Sequence, residues 1–137
     1  MVAPSPADRL RLVLADDCPA LIDEIVALLA PEHTILDCVG DGTRLVDAVN
    51  RLHPDVVVSD INMRRLNGID AARQLLDNGA CTAFVLLTVN NDSLLVTAAV
   101  DAGIRGFVLK ADAGEELSQA IRDVFAGATY FSRGISR

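Results

Sequence analysis

Five short apolar runs alternate along this chain with five amphipathic stretches, joined by short connections. No other feature constrains the fold as tightly. Strands that alternate with helices pair in parallel through crossovers, and the helices must cover both faces of the sheet. The runs are Leu10 to Ala15, His33 to Val39, Val56 to Asp60, Ala83 to Leu87 and Gly106 to Leu109. Val56-Val57-Val58 is continuously apolar, as a strand buried on both faces requires, whereas the more polar second run predicts an edge strand. Between the runs, Leu21, Ile22, Ile25, Val26, Leu28 and Leu29 recur at helical spacing, with Pro19 in the first turn and Pro31 past the end. Leu45, Ala48, Val49 and Leu52 form a second stripe. Ala71, Ala72, Leu75 and Leu76 form a third, closed by Asn78-Gly79. A fourth helix spans about Leu94 to Ala102 and stops at Gly103. Asp112 and Glu115 have capping-box spacing for a fifth, whose buried stripe is Leu117, Ala120, Ile121, Val124 and Phe125. The expectation is an α/β fold: a doubly wound, five-stranded parallel sheet with five helices, since a barrel needs eight such units. One domain over 10–131 is expected, with an N-terminal tail over 1–9 and the start of a linker or tail over 132–137.

Composition removes several function classes. With 51% apolar residues, the 137-residue chain can bury a core. Its longest apolar runs fall far short of the ~20 residues of a membrane helix. The start, Met1 to Asp8, has neither the basic region nor the apolar core of an export signal, so a cytoplasmic location is expected. Cys18, Cys38 and Cys81 are odd in number and lack Cys-x-x-Cys spacing, which argues against disulfides and zinc; each is expected to pack as a small apolar side chain. A formal charge of −7 argues against direct nucleic-acid contact, which needs a basic surface.

In an open parallel sheet, ligands bind beyond the carboxyl ends of the strands, where the strand order reverses. Asp16 and Asp17 follow the first run, Asp60 ends the third, Thr88 follows the fourth and Lys110 follows the fifth. Three carboxylates, a hydroxyl and an ammonium therefore converge on one edge. Clustered carboxylates call for a proton or a cation, and magnesium suits a set that leaves room for water and a phosphate oxygen. Asp60 is the candidate nucleophile, because a carboxylate that attacks phosphorus forms an acyl phosphate. Lys110 and Thr88 are the candidates to hold the phosphoryl oxygens.

These residues in this order resemble the receiver domains of two-component response regulators, from about Arg11 to Ser132. The resemblance is carried by Leu14-Ala15-Asp16-Asp17, Asp60-Ile61-Asn62-Met63 with Gly68, Leu87-Thr88, and Gly106-Phe107-Val108-Leu109-Lys110. The segments Lys110 to Leu117 and Gly127 to Ser132 resemble the NarL/FixJ (LuxR-type) branch in particular. The resemblance implies a flavodoxin-like strand order 2-1-3-4-5 and a switch, not an enzyme. Asp60 would be phosphoacceptor and metal ligand, Asp17 a direct magnesium ligand, Asp16 mainly a water-mediated one, and Asn62 a ligand through its backbone carbonyl. Thr88 and Phe107 would be switch residues. A sensor histidine kinase is the implied phosphodonor, and a homodimer through the fourth or fifth helix the implied assembly, with Leu94, Leu95 and Val96 as candidate surface residues. DNA binding would belong to a helix-turn-helix domain following residue 137.

Taken singly these residues mean little. Asp16-Asp17 suits a helix start, Thr88 a turn, Lys110 a solvated surface, and Phe107 a core as readily as a switch. Their joint placement makes the site. His33 and His53 have no partner at ligand spacing and are expected at the surface. Two departures from the family pattern stand out: Arg64, followed by Arg65, occupies the usual proline position, and Val89 replaces a small residue with one that would crowd the switch. A haloacid-dehalogenase-type phosphatase is disfavoured, since Asn62 stands where that chemistry wants a second Asp. A receiver-like interaction module that signals without phosphorylation is the alternative.

Overall fold

The computed structural model describes residues 9–81, 83–89, 92–133 and 135. Most of the expected tail (1–8) and part of the expected linker (134, 136, 137) lie outside them. In chain order the elements are β1 (Arg11–Ala15), α1 (Pro19–Leu29), β2 (Thr34–Val39), α2 (Gly42–Leu52), β3 (Val56–Asp60), α3 (Gly68–Asp77), β4 (Phe84–Thr88), α4 (Ser93–Asp101), β5 (Gly106–Leu109), α5 (Ala113–Phe125) and β6 (Tyr130–Phe131). A 3-10 turn over Lys110–Asp112 leads into α5.

All neighbouring strands are parallel, in the order β2-β1-β3-β4-β5-β6. The five expected strands thus stand in the expected order, with β2 at the edge, and a sixth is added beside β5. Tyr130 and Phe131 pair with Gly106 and Phe107. Tyr130 N–H donates to Arg105 O at 2.9 Å, and Ser132 N–H to Phe107 O at 2.8 Å. Two residues show no periodicity, so the pattern could not announce this strand.

Alternating side chains divide the core into two layers, because successive strand residues face opposite sides. Val13, Ala15 and Val57 pack with Leu45 and Val49 of α2, Leu75 of α3 and Val96 of α4. Leu12, Leu14, Val56 and Val58 face the other way, onto Ile25 and Leu29 of α1 and Leu117 and Ile121 of α5. β3 and β4 are buried at every position.

The helix ends follow their chemistry. Asp41 caps α2 through Arg44 N–H, and Asn67 caps α3 through Asp70 N–H. Gly103 and Gly127, just past α4 and α5, take the left-handed φ of 97° and 94° that a side chain would strain. Asp112 precedes α5 but forms no side-chain cap; the 3-10 turn has replaced the expected capping box.

Several placements correct the sequence-based expectations. Phe125 lies 50% exposed at the end of α5, outside the buried stripe, while Val96 on α4 is core rather than surface. Cys18 and Cys38 are exposed, and only Cys81 packs inside, where burial pushes its thiol up to about 12. His33 is buried, its Nδ1 accepting Leu10 N–H at 3.4 Å; His53 is exposed. Ser132 and Ile135, placed by the sequence in the linker, are both buried against the domain.

Candidate functional site

The sheet register assembles the site. Ala15 lies level with Ser59, so the next residues, Asp16 and Asp60, meet where β1 and β3 adjoin. Asp60 pairs with Leu87, and Thr88 with Leu109, which brings Thr88 and Lys110 to the same edge. The five candidates from the strand ends are thus gathered at the point where the order reverses, on either side of β1. Asn62, two residues beyond Asp60, lies in the exposed loop that follows.

Asp16 and Asp60 are buried; Asp17 is exposed. One carboxylate oxygen from each of the three lies within 4.8 Å of the others. Lys110 Nζ sits 3.0 Å from Asp16 Oδ2 and 3.2 Å from Asp60 Oδ1. Asp16 Oδ1 accepts Cys18 N–H at 2.9 Å and so also steadies the start of α1. Its other oxygen, Oδ2, is buried and accepts no well-directed hydrogen bond, relying on the Lys110 charge. Ile61 N–H donates to Asp60 Oδ1 at 2.8 Å.

Burial raises the Asp60 carboxyl above the usual carboxylate range, and the neighbouring Asp16 charge raises it further. Lys110 and the Ile61 amide oppose both effects. For Lys110, burial is the largest single influence and disfavours its charge, but Asp16 and Asp60 together outweigh it, and its pKa is raised. The site is therefore poised around an excess of negative charge, with a hard, all-oxygen donor set and one under-satisfied buried oxygen. These are the features that suit a divalent cation such as magnesium.

The backbone around the phosphoacceptor candidate is closely packed. A Cβ on Gly68 would come within 2.1 Å of Asp60 O, so only glycine permits the loop to close there. Gly68 N–H in turn donates to Ile61 O at 2.8 Å. Thr88 is buried at the end of β4, whereas Val89 projects 71% exposed and does not crowd it.

Phe107 is fully buried and stacks on Phe131, with ring centroids 4.7 Å apart and planes 12° from parallel. Ser132 Oγ accepts Leu109 N–H at 3.0 Å, holding the residue just before Lys110. The roles of Phe131 and Ser132 were not foreseen. Their signal was the Tyr130-Phe131-Ser132 segment itself, whose partner strand only the fold reveals.

Comparison with known proteins agrees with this geometry. The family model described as the response regulator receiver domain matches residues 12–122. The chain is 32% identical over 133 residues to the nitrate/nitrite response regulator protein NarP of Escherichia coli K12, covering 96% of this chain. It is 33% identical over 126 residues to the transcriptional regulatory protein DesR of Bacillus subtilis 168, covering 90% of this chain. The chain spans 62% of the length of each of these relatives. Among solved structures, a LuxR-family two-component response regulator from Aurantimonas sp. SI85-9A1 superposes with a TM-score of 0.86 at 28% identity, covering 93% of this chain and 92% of that one.

Proposed function

We propose, because this chain belongs to the response regulator receiver domain family, that it takes a phosphoryl group onto Asp60 from a sensor histidine kinase and changes an output surface in response, in the service of transcriptional control. The observation that carries the reading is the bridging of two buried carboxylates, Asp16 and Asp60, by one ammonium, Lys110.

Asp16, Asp17, Asp60 and the Asn62 backbone carbonyl are the groups that would hold magnesium. When bound there, magnesium supplies the positive charge that lets a phosphoryl group approach three carboxylates. An Asp60 oxygen attacks phosphorus, the bond to the kinase imidazole nitrogen breaks, and the electron pair leaves with the imidazole. Lys110 turns from Asp60 to one phosphoryl oxygen, and the Thr88 hydroxyl donates to another.

The gain from these contacts sets the size of the switch. Charge-assisted hydrogen bonds contribute about 1.5–3 kcal/mol each, and two of them approach the roughly 5.5 kcal/mol that turns a two-state equilibrium from mostly off to mostly on. Thr88 and Lys110 lie at the ends of adjacent strands, and Phe107 sits on one of those strands. Movement of Thr88 would therefore be felt at Phe107 and at the Phe131 ring stacked upon it. Leu94 (79% exposed) and Val100 on α4, with Phe125 on α5, offer apolar surface for a homodimer.

The test is chemical trapping of the aspartyl phosphate. After incubation with a small phosphodonor and magnesium, borohydride reduction converts a phosphorylated Asp to homoserine. Peptide mapping is expected to find the conversion at position 60; conversion at Asp16 or Asp17 instead, or none, would overturn the assignment.

A further inference from the structure

β5 has a neighbouring strand on each side, and the two differ at its end. On one side Thr88 of β4 lies level with Leu109. On the other, β6 supplies only Tyr130 and Phe131, opposite Gly106 and Phe107. In a regular parallel ladder a residue donates to one partner and accepts from the residue two places further on. Ser132 makes the first of these bonds, its N–H donating to Phe107 O at 2.8 Å. The second, from Leu109 N–H, should then end on the Ser132 carbonyl. It ends instead on the Ser132 hydroxyl, Oγ, at 3.0 Å. The carbonyl is engaged elsewhere, accepting Ile135 N–H at 3.0 Å in the turn that brings Ile135 into the core. A side chain thus takes the place of the backbone where the chain turns away from the sheet. Ser132 is 1% exposed, which keeps water from substituting for its hydroxyl.

This rung holds the root of Lys110. Leu109 is the last residue of β5, and Lys110 opens the 3-10 turn that follows. β4 stands between β5 and β3, with β1 beyond, so the Lys110 side chain reaches across strand ends to Asp60 and Asp16. A lysine stem is flexible, and its ammonium is aimed only as well as its backbone is fixed. Misplacement of a reacting group by about 1 Å can cost roughly 100-fold in rate.

We propose that Ser132 is a positioning residue for phosphoryl transfer: its hydroxyl fixes the Leu109 backbone and thereby aims the Lys110 ammonium at Asp60. This rests on Asp60 being the phosphoacceptor. Ser132 itself touches neither the donor nor phosphorus and gives up no proton. The bonds made and broken remain those at Asp60 and at the departing nitrogen. The segment past β6 therefore belongs to the site, although it lies outside the strand ends that form it.

The experiment measures initial rates of phosphoryl uptake from phosphoramidate, with magnesium, by intact mass. The proteins are wild type, Ser132→Ala, Ser132→Thr, Lys110→Ala and the double variant Ser132→Ala/Lys110→Ala. Amide exchange at Leu109 is followed in each, to report whether the hydroxyl bond is present. Ser132→Ala is expected to quicken that exchange and to lose about tenfold in rate, within the range for a misplaced group. In the Lys110→Ala background the same change should cost less than about twofold, because the group it aims is gone. Ser132→Thr keeps a hydroxyl, and where it protects Leu109 it should recover most of the wild-type rate. An equal loss in both backgrounds would mark Ser132 as merely structural and overturn the inference. So would a wild-type rate in Ser132→Ala or in Lys110→Ala, or a Ser132→Thr that protects Leu109 without recovering the rate. A wild type that takes up no phosphoryl group overturns the phosphoacceptor reading, and this inference with it.

Discussion

Lys110 Nζ lies 3.0 Å from Asp16 and 3.2 Å from Asp60, so a single cation holds two carboxylates of adjacent strands together. Removing it leaves two buried carboxylates facing each other with nothing between. Lys110→Met is expected to lower stability by about 1–3 kcal/mol in metal-free buffer, less than a fully buried pair would lose because one carboxyl can take up a proton. Asp16→Asn removes one of the repelling charges and is expected to cost far less than Lys110→Met, or to stabilise. Urea denaturation with a chelator present checks both signs.

Gly68 is required by the close approach of the Asp60 carbonyl. Gly68→Ala must displace backbone at Asp60, the proposed phosphoacceptor, and is expected to cost about 1–3 kcal/mol, the range for forcing extra atoms into packed structure. The cost should appear in the urea midpoint, together with slower phosphoryl uptake at Asp60.

The Phe107–Phe131 stack ties β6 to the strand that leads into Lys110. Phe131→Ala is expected to lose about 2–4 kcal/mol, below the full figure for a core phenylalanine because Phe131 is only partly buried. Amide exchange should quicken at Tyr130 and Ser132, whose N–H groups donate to Arg105 O and Phe107 O, and also at Leu109, whose N–H donates to Ser132 Oγ. Acceleration confined to β6 would show that the strap does not reach the site.

Buried His33 gives stability a definite pH dependence. Burial lowers its pKa from 6.5; Glu32 pulls it back, and Arg122 and Arg9 push it further down. Nδ1 accepts a hydrogen bond, and Nε2 is buried without a partner. The unfolded chain therefore takes up a proton near pH 6.5 that the folded chain resists. Stability contributed by neutral His33 is full above pH 6.5 and is lost as pH falls from there toward the folded pKa. Urea midpoints between pH 7.5 and 5.5 are expected to fall more steeply for wild type than for His33→Met. Asp60, whose pKa is raised, contributes a slope of opposite sign common to both proteins, so their difference isolates His33.

What the sequence made legible follows from the range of each signal. The long runs and stripes marked five strands and five helices, and strand ends marked which candidate residues would meet, because in a parallel sheet those ends must converge. Features set by contacts across the fold were hidden. His33 reads as a polar residue at a helix–strand junction, and nothing local reveals that Leu10 and Arg9 close over it. Phe125 continues a helical stripe in sequence but is the last residue of α5, where it is half exposed. Arg64-Arg65 is visible as a departure, while the tie of that loop to α2, through Gly42 N–H to Arg64 O and the Asp41–Arg64 bridge, depends on α2 folding alongside.

The central claim is that Asp60 accepts a phosphoryl group in a magnesium-dependent way, and intact mass tests it most directly. Wild type and Asp60→Asn are incubated with a small-molecule phosphodonor, with magnesium or with a chelator. A gain of one phosphoryl group in wild type with magnesium, and in no other sample, is the predicted result. No gain in wild type, under conditions that label another receiver domain, or an equal gain in Asp60→Asn, would contradict it.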